Sequence, residues 1–234
     1  MKRNLALIVP TRNRPENAAR LMEAVARSAG SCVNYDRDVY FVVGEEDPKL
    51  SEYKKNEWLF GRIFTFPDRG LVKALNYMAP QLVGKYEGLA FMGDDHYPIT
   101  PFWDEKYMNE LYHLGDGFVY GDDLLQGEAI PTQIAMTSSI VESLGFFTPP
   151  GFTHLCCDLA WKDLGEGIGK ITYMPDVIIE HLHPANGKAE NDEGYRFVNS
   201  PEMVKRDSEE YYRWKRDDLP GQLEKLRMDL RSLR

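Results

Sequence analysis

The stretch Leu89-Ala90-Phe91-Met92-Gly93-Asp94-Asp95-His96-Tyr97-Pro98 limits the possible folds of this chain more than any other segment. Four apolar residues in a row read as a short buried strand. They run directly into two carboxylates and an imidazole. Adjacent carboxylates are costly in a core unless something compensates their charge. At the C-terminal edge of a parallel sheet the same residues would lie where open α/β folds receive ligands. Carboxylate oxygens suit a hard divalent cation such as Mg²⁺ or Mn²⁺. A polar turn is the competing reading, because Gly-Asp-Asp is ordinary loop chemistry.

Upstream, strands alternate with helices as a parallel sheet requires. Leu5 to Val9 reads as a buried strand ending at Pro10-Thr11-Arg12-Asn13-Arg14-Pro15-Glu16. Pro15 suits the first turn of a helix, and Glu16 its positive end. Leu21, Met22, Val25 and Ala26 make one helical face, with Gly30 as the expected stop. Thr11, Arg12 and Arg14 then sit where a helix N-terminus and cations receive phosphate, unless the arginines are merely solvated. Val39 to Val43 is a second strand, closed by Gly44-Glu45-Glu46-Asp47-Pro48. A carboxylate at that strand end fits a base N–H or ribose hydroxyls. Arg62 to Phe66 is a third strand, closed by Pro67-Asp68. Leu71, Ala74, Leu75, Met78 and Leu82 recur at helical spacing, with Lys73 and Asn76 off that face and within reach of a nucleotide.

Downstream, Trp103 to Leu114 reads as a helix, Gly117 to Tyr120 as a strand and Asp122-Asp123 as an ordinary turn. Ile134 to Met136 is a strand and Ser138 to Leu144 a helix. The loop Phe146 to Phe152 is aromatic and proline-rich: exposed, it is a platform for a sugar ring or nucleobase; buried, it is core. A helix is expected from His154, ending near Gly165, with Gly165 to Gly169 as its stop and turn. Ile171 to Met174 and Val177 to Ile179 read as strands, followed by Glu180-His181-Leu182-His183-Pro184. If the strand continues, both histidines point to one face, which strengthens the case for a metal ligand. From Ala185 to Glu193 the composition predicts a polar, mobile loop. Leu223, Leu226 and Leu230 form a stripe in the tail that either packs back on the domain or makes a homodimer.

Composition sets the outer bounds. A chain of 234 residues with 43% apolar content can form one large domain with an appendage. Its net charge of -9 argues against nucleic-acid binding through a basic surface. The apolar run Leu5 to Pro10 is too short for a signal-peptide core or a membrane span, and no later run is long enough either, so a cytoplasmic protein is expected. Cys32, Cys156 and Cys157 have no CxxC spacing and suggest neither a disulfide framework nor a cysteine zinc site.

Taken in order, these landmarks resemble the glycosyltransferases of the GT-A fold, most of all family 2. Pro10 to Pro15 resembles the opening turn, Glu45-Glu46-Asp47 the base-binding acid, and Leu71 to Met78 with Asn76 the helix after the third strand. Asp94-Asp95-His96 resembles the metal-binding Asp-x-Asp motif, Asp158 the catalytic acid, and Val177 to His181 the late strand ending in a metal-binding histidine. The resemblance implies a single α/β, Rossmann-like domain over residues 1–185, with a mostly parallel central sheet flanked by helices. Its nucleotide-sugar half would span about 1–100 and its acceptor half about 101–185, with a mobile loop and helical extension over 186–234. It implies metal-dependent transfer from a nucleoside-diphosphate sugar, a UDP-sugar by family habit, to an acceptor hydroxyl with inversion. Asp158 would be general base, and Asp95 and His181 would hold Mn²⁺ in preference to Mg²⁺. Pro10, Thr11, Arg12, Arg14, Glu45, Asp68, Lys73, Asn76 and Asp94 would bind the donor. The acceptor stays open between a small molecule, a glycan, a protein and a modified nucleobase.

The sequence departs from the family at three points. The last carboxylate of the acidic motif is absent if Asp94 is its first, Cys157 precedes Asp158 where another acid is common, and the register of His181 against His183 is open. Two rivals remain. A sugar nucleotidyltransferase would want a glycine-rich phosphate loop after the first strand, and Pro10 to Pro15 holds no glycine. A non-catalytic binding module on a transferase scaffold would tolerate the missing carboxylate.

Overall fold

The computed structural model describes residues 3–28, 35–56, 59 and 62–232. Gly30, the expected helix stop, and Cys32 lie outside them. The first half runs β1 (Arg3–Pro10), α1 (Pro15–Ser28), β2 (Tyr35–Gly44), α2 (Leu50–Lys55), β3 (Ile63–Phe66), α3 (Leu71–Leu82), β4 (Gly88–Phe91). The second runs β5 (His96–Pro98), α4 (Trp103–Leu114), β6 (Phe118–Asp122), β7 (Ile134–Thr137), α5 (Ser138–Leu144), α6 (Cys157–Ile168), β8 (Ile171–His181). Three helices follow: α7 (Glu193–Val198), α8 (Pro201–Asp217) and α9 (Leu219–Ser232). Eight strands make one sheet in the order β3-β2-β1-β4-β7-β6-β8-β5. Four of its seven pairings are parallel and three antiparallel, a mixed but mostly parallel sheet. The chain steps from β1 outward to β2 and β3, then returns to place β4 on the other side of β1. A crevice opens at the C-terminal strand ends wherever the order reverses in this way.

Alternation along β1 explains its unbroken apolar sequence. Leu5, Leu7 and Val9 pack with Leu21 and Val25 of α1 and Trp103 of α4. Ala6 and Ile8 face the other way, into the layer of Leu75 from α3 and Trp161 from α6. A strand covered on both faces needs no polar side. Trp214, Leu226 and Leu230 belong to that second layer, so the tail stripe packs back on the domain and shares its core.

Two expected elements differ. The two late strands are one, β8, because its pairing with β6 jumps from Met174 to Ile178 and absorbs Pro175-Asp176 as an irregularity. Proline has no N–H for a ladder and is tolerated at such a bulge. Gly121 lies against it, where a Cβ would run into the Val177 carbonyl oxygen. Helix α6 starts at Cys157 and runs through Gly165 to Ile168, with Gly169 at φ +69° as its stop. The polar stretch after β8 opens with a 3₁₀ turn over Pro184–Asn186, and irregular backbone over 187–192 then joins it to α7. No described helix is long and apolar enough to cross a membrane.

Candidate functional site

At the β1–β4 crevice the Thr11 hydroxyl donates to Asp94 Oδ2 at 2.6 Å. It also lies 2.9 Å from the Tyr53 hydroxyl, which accepts the Arg14 backbone N–H at 2.9 Å. Arg14 Nη1 reaches Asp94 Oδ1 at 3.5 Å. Asn13, at φ +57°, donates its N–H to Asp47, which also accepts from Lys49, so the turns after β1 and β2 are fastened together. Arg12 points outward to Glu46 at 2.7 Å, both about half exposed. Pro10 ends β1 opposite Val42, and Glu45 is exposed at the end of β2.

Residues 93–96 form a tight turn. Gly93 donates its N–H to His96 Nδ1 at 3.0 Å, and the His96 N–H returns to the Gly93 carbonyl. β5 then pairs with β8 so that His96 lies opposite His181, and the two imidazoles stack 4.4 Å apart at 15°. His181 Nε2 sits 3.6 Å from Asp95 Oδ2, and its Nδ1 sits 3.8 Å from Asp123 Oδ2. Of the two histidines it is His181 that meets Asp95; His183 Nδ1 accepts the Ala185 N–H and caps the 3₁₀ turn. Asp123, read from sequence as an ordinary turn residue, is buried beside His181. The repeat of an acid pair at the end of β6 was the available signal.

These groups shift one another. Burial would raise the Asp95 carboxyl, but His181 and His96 outweigh it and hold it well below the usual range. Burial and the neighbouring Asp95 push Asp94 up against the pull of Arg14 and Thr11. Burial disfavours a charged His181, yet Asp123 and Asp95 together lift it to about 9.

The donor set fits a divalent cation. Ligand atoms from Asp95, His96 and His181 lie within 4.8 Å of one another. Two ligands each about 2.1 Å from one ion stand roughly 3–4 Å apart, and the Asp95–His181 separation of 3.6 Å meets this. His96 Nδ1 is taken by Gly93, and its Nε2 faces the Thr132 hydroxyl at 3.4 Å, which places that ring behind the pair.

The segment after β8 closes over this site. The Tyr195 hydroxyl donates to Asp95 Oδ2, and the Arg14 guanidinium lies 4.4 Å from the Tyr195 ring centroid. Asp192 accepts two hydrogen bonds from Arg14, at 2.9 and 2.7 Å, the fork-to-fork geometry of strong pairs. Burial works against the Arg14 charge, but Asp192 and Asp94 outweigh it and raise its pKa.

Asp68, Lys73, Asn76, Tyr77 and Pro150 line a neighbouring cleft of about 350 Å³. Lys73 pairs with Asp68 at 2.7 Å, both exposed. Asn76 clamps the loop after α5, accepting from the Phe147 and Thr148 N–H groups and donating to the Thr148 carbonyl. Phe147 and Phe152 of that loop are buried against Trp161 and Trp214, the core alternative for an aromatic loop.

Asp158 stands in the first turn of α6, its Oδ1 accepting the Leu159 N–H at 2.9 Å, while Cys156 at φ +63° holds the cap position. Burial raises the Asp158 carboxyl. The loop entering α6 is pinned by fully buried Asp207 of α8, which accepts N–H groups from Thr153, His154 and Leu155 at 3.1, 2.8 and 2.7 Å. Asp207→Ala leaves all three donors without that acceptor and is expected to cost about 3 kcal/mol, read from urea unfolding. A midpoint unchanged from the parent would mean that the loop holds itself.

No family model matches the chain, and no curated protein matches it. Among solved structures, Staphylococcus aureus TarS 1–349 is 13% identical over 75% of this chain and 59% of its own, with a TM-score of 0.56. The same fragment in complex with UDP gives 0.58 at 12% identity. This chain thus spans about three-fifths of that fragment, and 43% of the longer TarS structure. The mannosyltransferase PcManGT from Pyrobaculum calidifontis, in complex with GDP-Man and Mn²⁺, is 14% identical over 97% of this chain and 74% of its own, with a TM-score of 0.63. At such identities the architecture is what is shared: this chain has the GT-A fold of those glycosyltransferases.

Proposed function

We propose that the protein moves a sugar from a nucleoside-diphosphate sugar, a UDP-sugar first, to an acceptor hydroxyl with inversion. The observation that carries this reading is the convergence of Thr11, Arg14, Asp94, Asp95 and His181 at the β1–β4 crevice. The complexes of TarS with UDP and of PcManGT with GDP-Man and Mn²⁺ support it by fold. Asp95 and His181 would hold a divalent cation, which would supply positive charge opposite the departing diphosphate. Arg14 meets phosphate as a planar cation once it exchanges Asp192 for it. Thr11 keeps Asp94 oriented, the exposed Glu45 takes ribose or base, and Arg12 adds positive charge beyond Pro10. Lys73 and Asp68 flank the cleft next to the crevice, and Asn76 holds its wall. Asp158 takes the acceptor proton, and its raised carboxyl lies nearer neutral pH, where a general base works best.

A nucleoside diphosphate with Mn²⁺ is expected to raise the melting temperature, because it binds only the folded state. At about 100 Kd the gain is about 2.7 kcal/mol, or roughly 5–10 °C for a chain of this size. A panel of UDP, GDP and their sugars run by thermal shift ranks the nucleotides. No shift with any of them at millimolar concentration would discard the transferase reading in favour of a non-catalytic module.

A further inference from the structure

We propose that Asp123 is a positioning residue: facing His181 Nδ1, it selects the ring tautomer that turns the Nε2 lone pair toward Asp95 and a cation. The proposal rests on the metal reading above and adds the group that stands behind the ligand. The His181 ring lies between two carboxylates, Nε2 toward Asp95 at 3.6 Å and Nδ1 toward Asp123 at 3.8 Å. Buried His181 Nδ1 has no hydrogen-bond partner, and the atom facing it can only accept. A neutral imidazole carries one N–H and one lone pair, and the partner of one nitrogen decides the state of the other. Asp95 draws the same proton toward Nε2, so the carboxylate at Nδ1 holds it there once a cation between Nε2 and Asp95 takes the Nε2 lone pair, the arrangement by which metal-bound histidines are oriented.

Asp123 is unusually well held for this task. It is 1% exposed, and its Oδ1 accepts N–H groups from Leu125, Gln126 and Gly127 at 2.9, 2.6 and 3.0 Å. The Thr132 hydroxyl fixes Oδ2 at 2.8 Å. Thr132 also faces His96 Nε2 at 3.4 Å, behind the site. The His96 ring stacks on that of His181, and the His181 backbone N–H donates to the Asp123 backbone carbonyl at 2.9 Å. A residue that only shaped the 124–127 turn would need Oδ1 alone; the orientation of Oδ2 has no use in that turn.

The substitution Asp123→Asn separates the two roles. The amide oxygen can keep the three turn N–H groups, while the amide NH₂ replaces Oδ2 and presents a donor to His181 Nδ1. The expected result is a tautomer ratio shifted toward Nε2–H relative to the parent, read in metal-free, ¹⁵N-histidine-labelled protein by NMR at a pH where the ring is neutral. Calorimetry should show Mn²⁺ binding about 10- to 100-fold weaker, with the circular dichroism spectrum unchanged. Thr132→Val, which frees Oδ2 without touching the turn, should move both readings in the same direction by less, and it serves alone if the asparagine variant does not fold. An unchanged tautomer with unchanged Mn²⁺ affinity would overturn the proposal. If the parent protein binds no Mn²⁺, the metal reading fails instead. The metal-free tautomer ratio still decides the role of Asp123: a shift toward Nε2–H in the variant upholds it, and an unchanged ratio ends it.

Discussion

Asp158→Asn is expected to lower turnover by about 10²–10⁴-fold while donor binding stays near that of the parent. The change is nearly isosteric, and the asparagine oxygen can still accept the Leu159 N–H that Asp158 accepts now. Cys156, not Asp158, holds the cap position of α6, so the substitution removes no cap. Stability should hold or rise. A carboxyl whose folded pKa is raised by burial loses stability as pH climbs from its unfolded value through its folded one, so a neutral amide relieves that cost at pH 7. The pH profile of the parent should fall on its acid side above the ordinary carboxylate range, and that limb should vanish from the residual rate of the variant. Normal turnover in Asp158→Asn would remove the base from an inverting mechanism and leave retaining transfer, or another acid, to be sought.

Asp95→Ala is expected to abolish Mn²⁺ binding and, with it, metal-dependent nucleotide binding in calorimetry. Its carboxylate is one of the two groups whose 3.6 Å spacing suits a shared ion, and His181 alone is a poor site. His181→Ala should behave alike and His183→Ala should not, because His183 Nδ1 caps a turn. A pH signature accompanies the metal-free protein. The His181 pKa is lifted to about 9, so its stabilising charge is fully present below its ordinary value near 6.5 and lost as pH rises through about 9. Mn²⁺ needs the neutral ring, so its affinity should rise over the same window in which metal-free stability falls. Urea midpoints in EDTA across that range check the second half of this statement. Full Mn²⁺ affinity in Asp95→Ala would remove both residues from the metal assignment.

The elements legible in the sequence are those whose signal is local. β1 could be read because burial on both faces demands an apolar run, and α3 because its apolar face repeats at helical spacing. The acid turn was visible because charge follows the β4 strand without a break. Other features were hidden by physics that is not local. Pro175-Asp176 writes the same letters whether a strand stops or bulges, so β8 looked like two strands. Asp123 does ordinary turn work with one oxygen, and nothing in the sequence shows where the other points. Tyr53 and Tyr195 reach the site from a short helix and from beyond β8, and a polar composition around Asp192 marks a surface without saying what it touches.

The clasp between Arg14 and Asp192 joins residues 178 positions apart, and that between Tyr195 and Asp95 joins residues 100 apart. A ribosome delivers the chain from its N-terminus, so β1 to β4 with Thr11, Arg14, Asp94 and Asp95 exist before any partner from α7 has been made. During that interval the acid pair has neither the histidine of β8 nor the tyrosine hydroxyl beside it, and the arginine has no Asp192. Assembly of this crevice is therefore ordered in time by synthesis: its floor is laid first, His181 arrives with the last strand, and its cover is the final piece to be translated and docked.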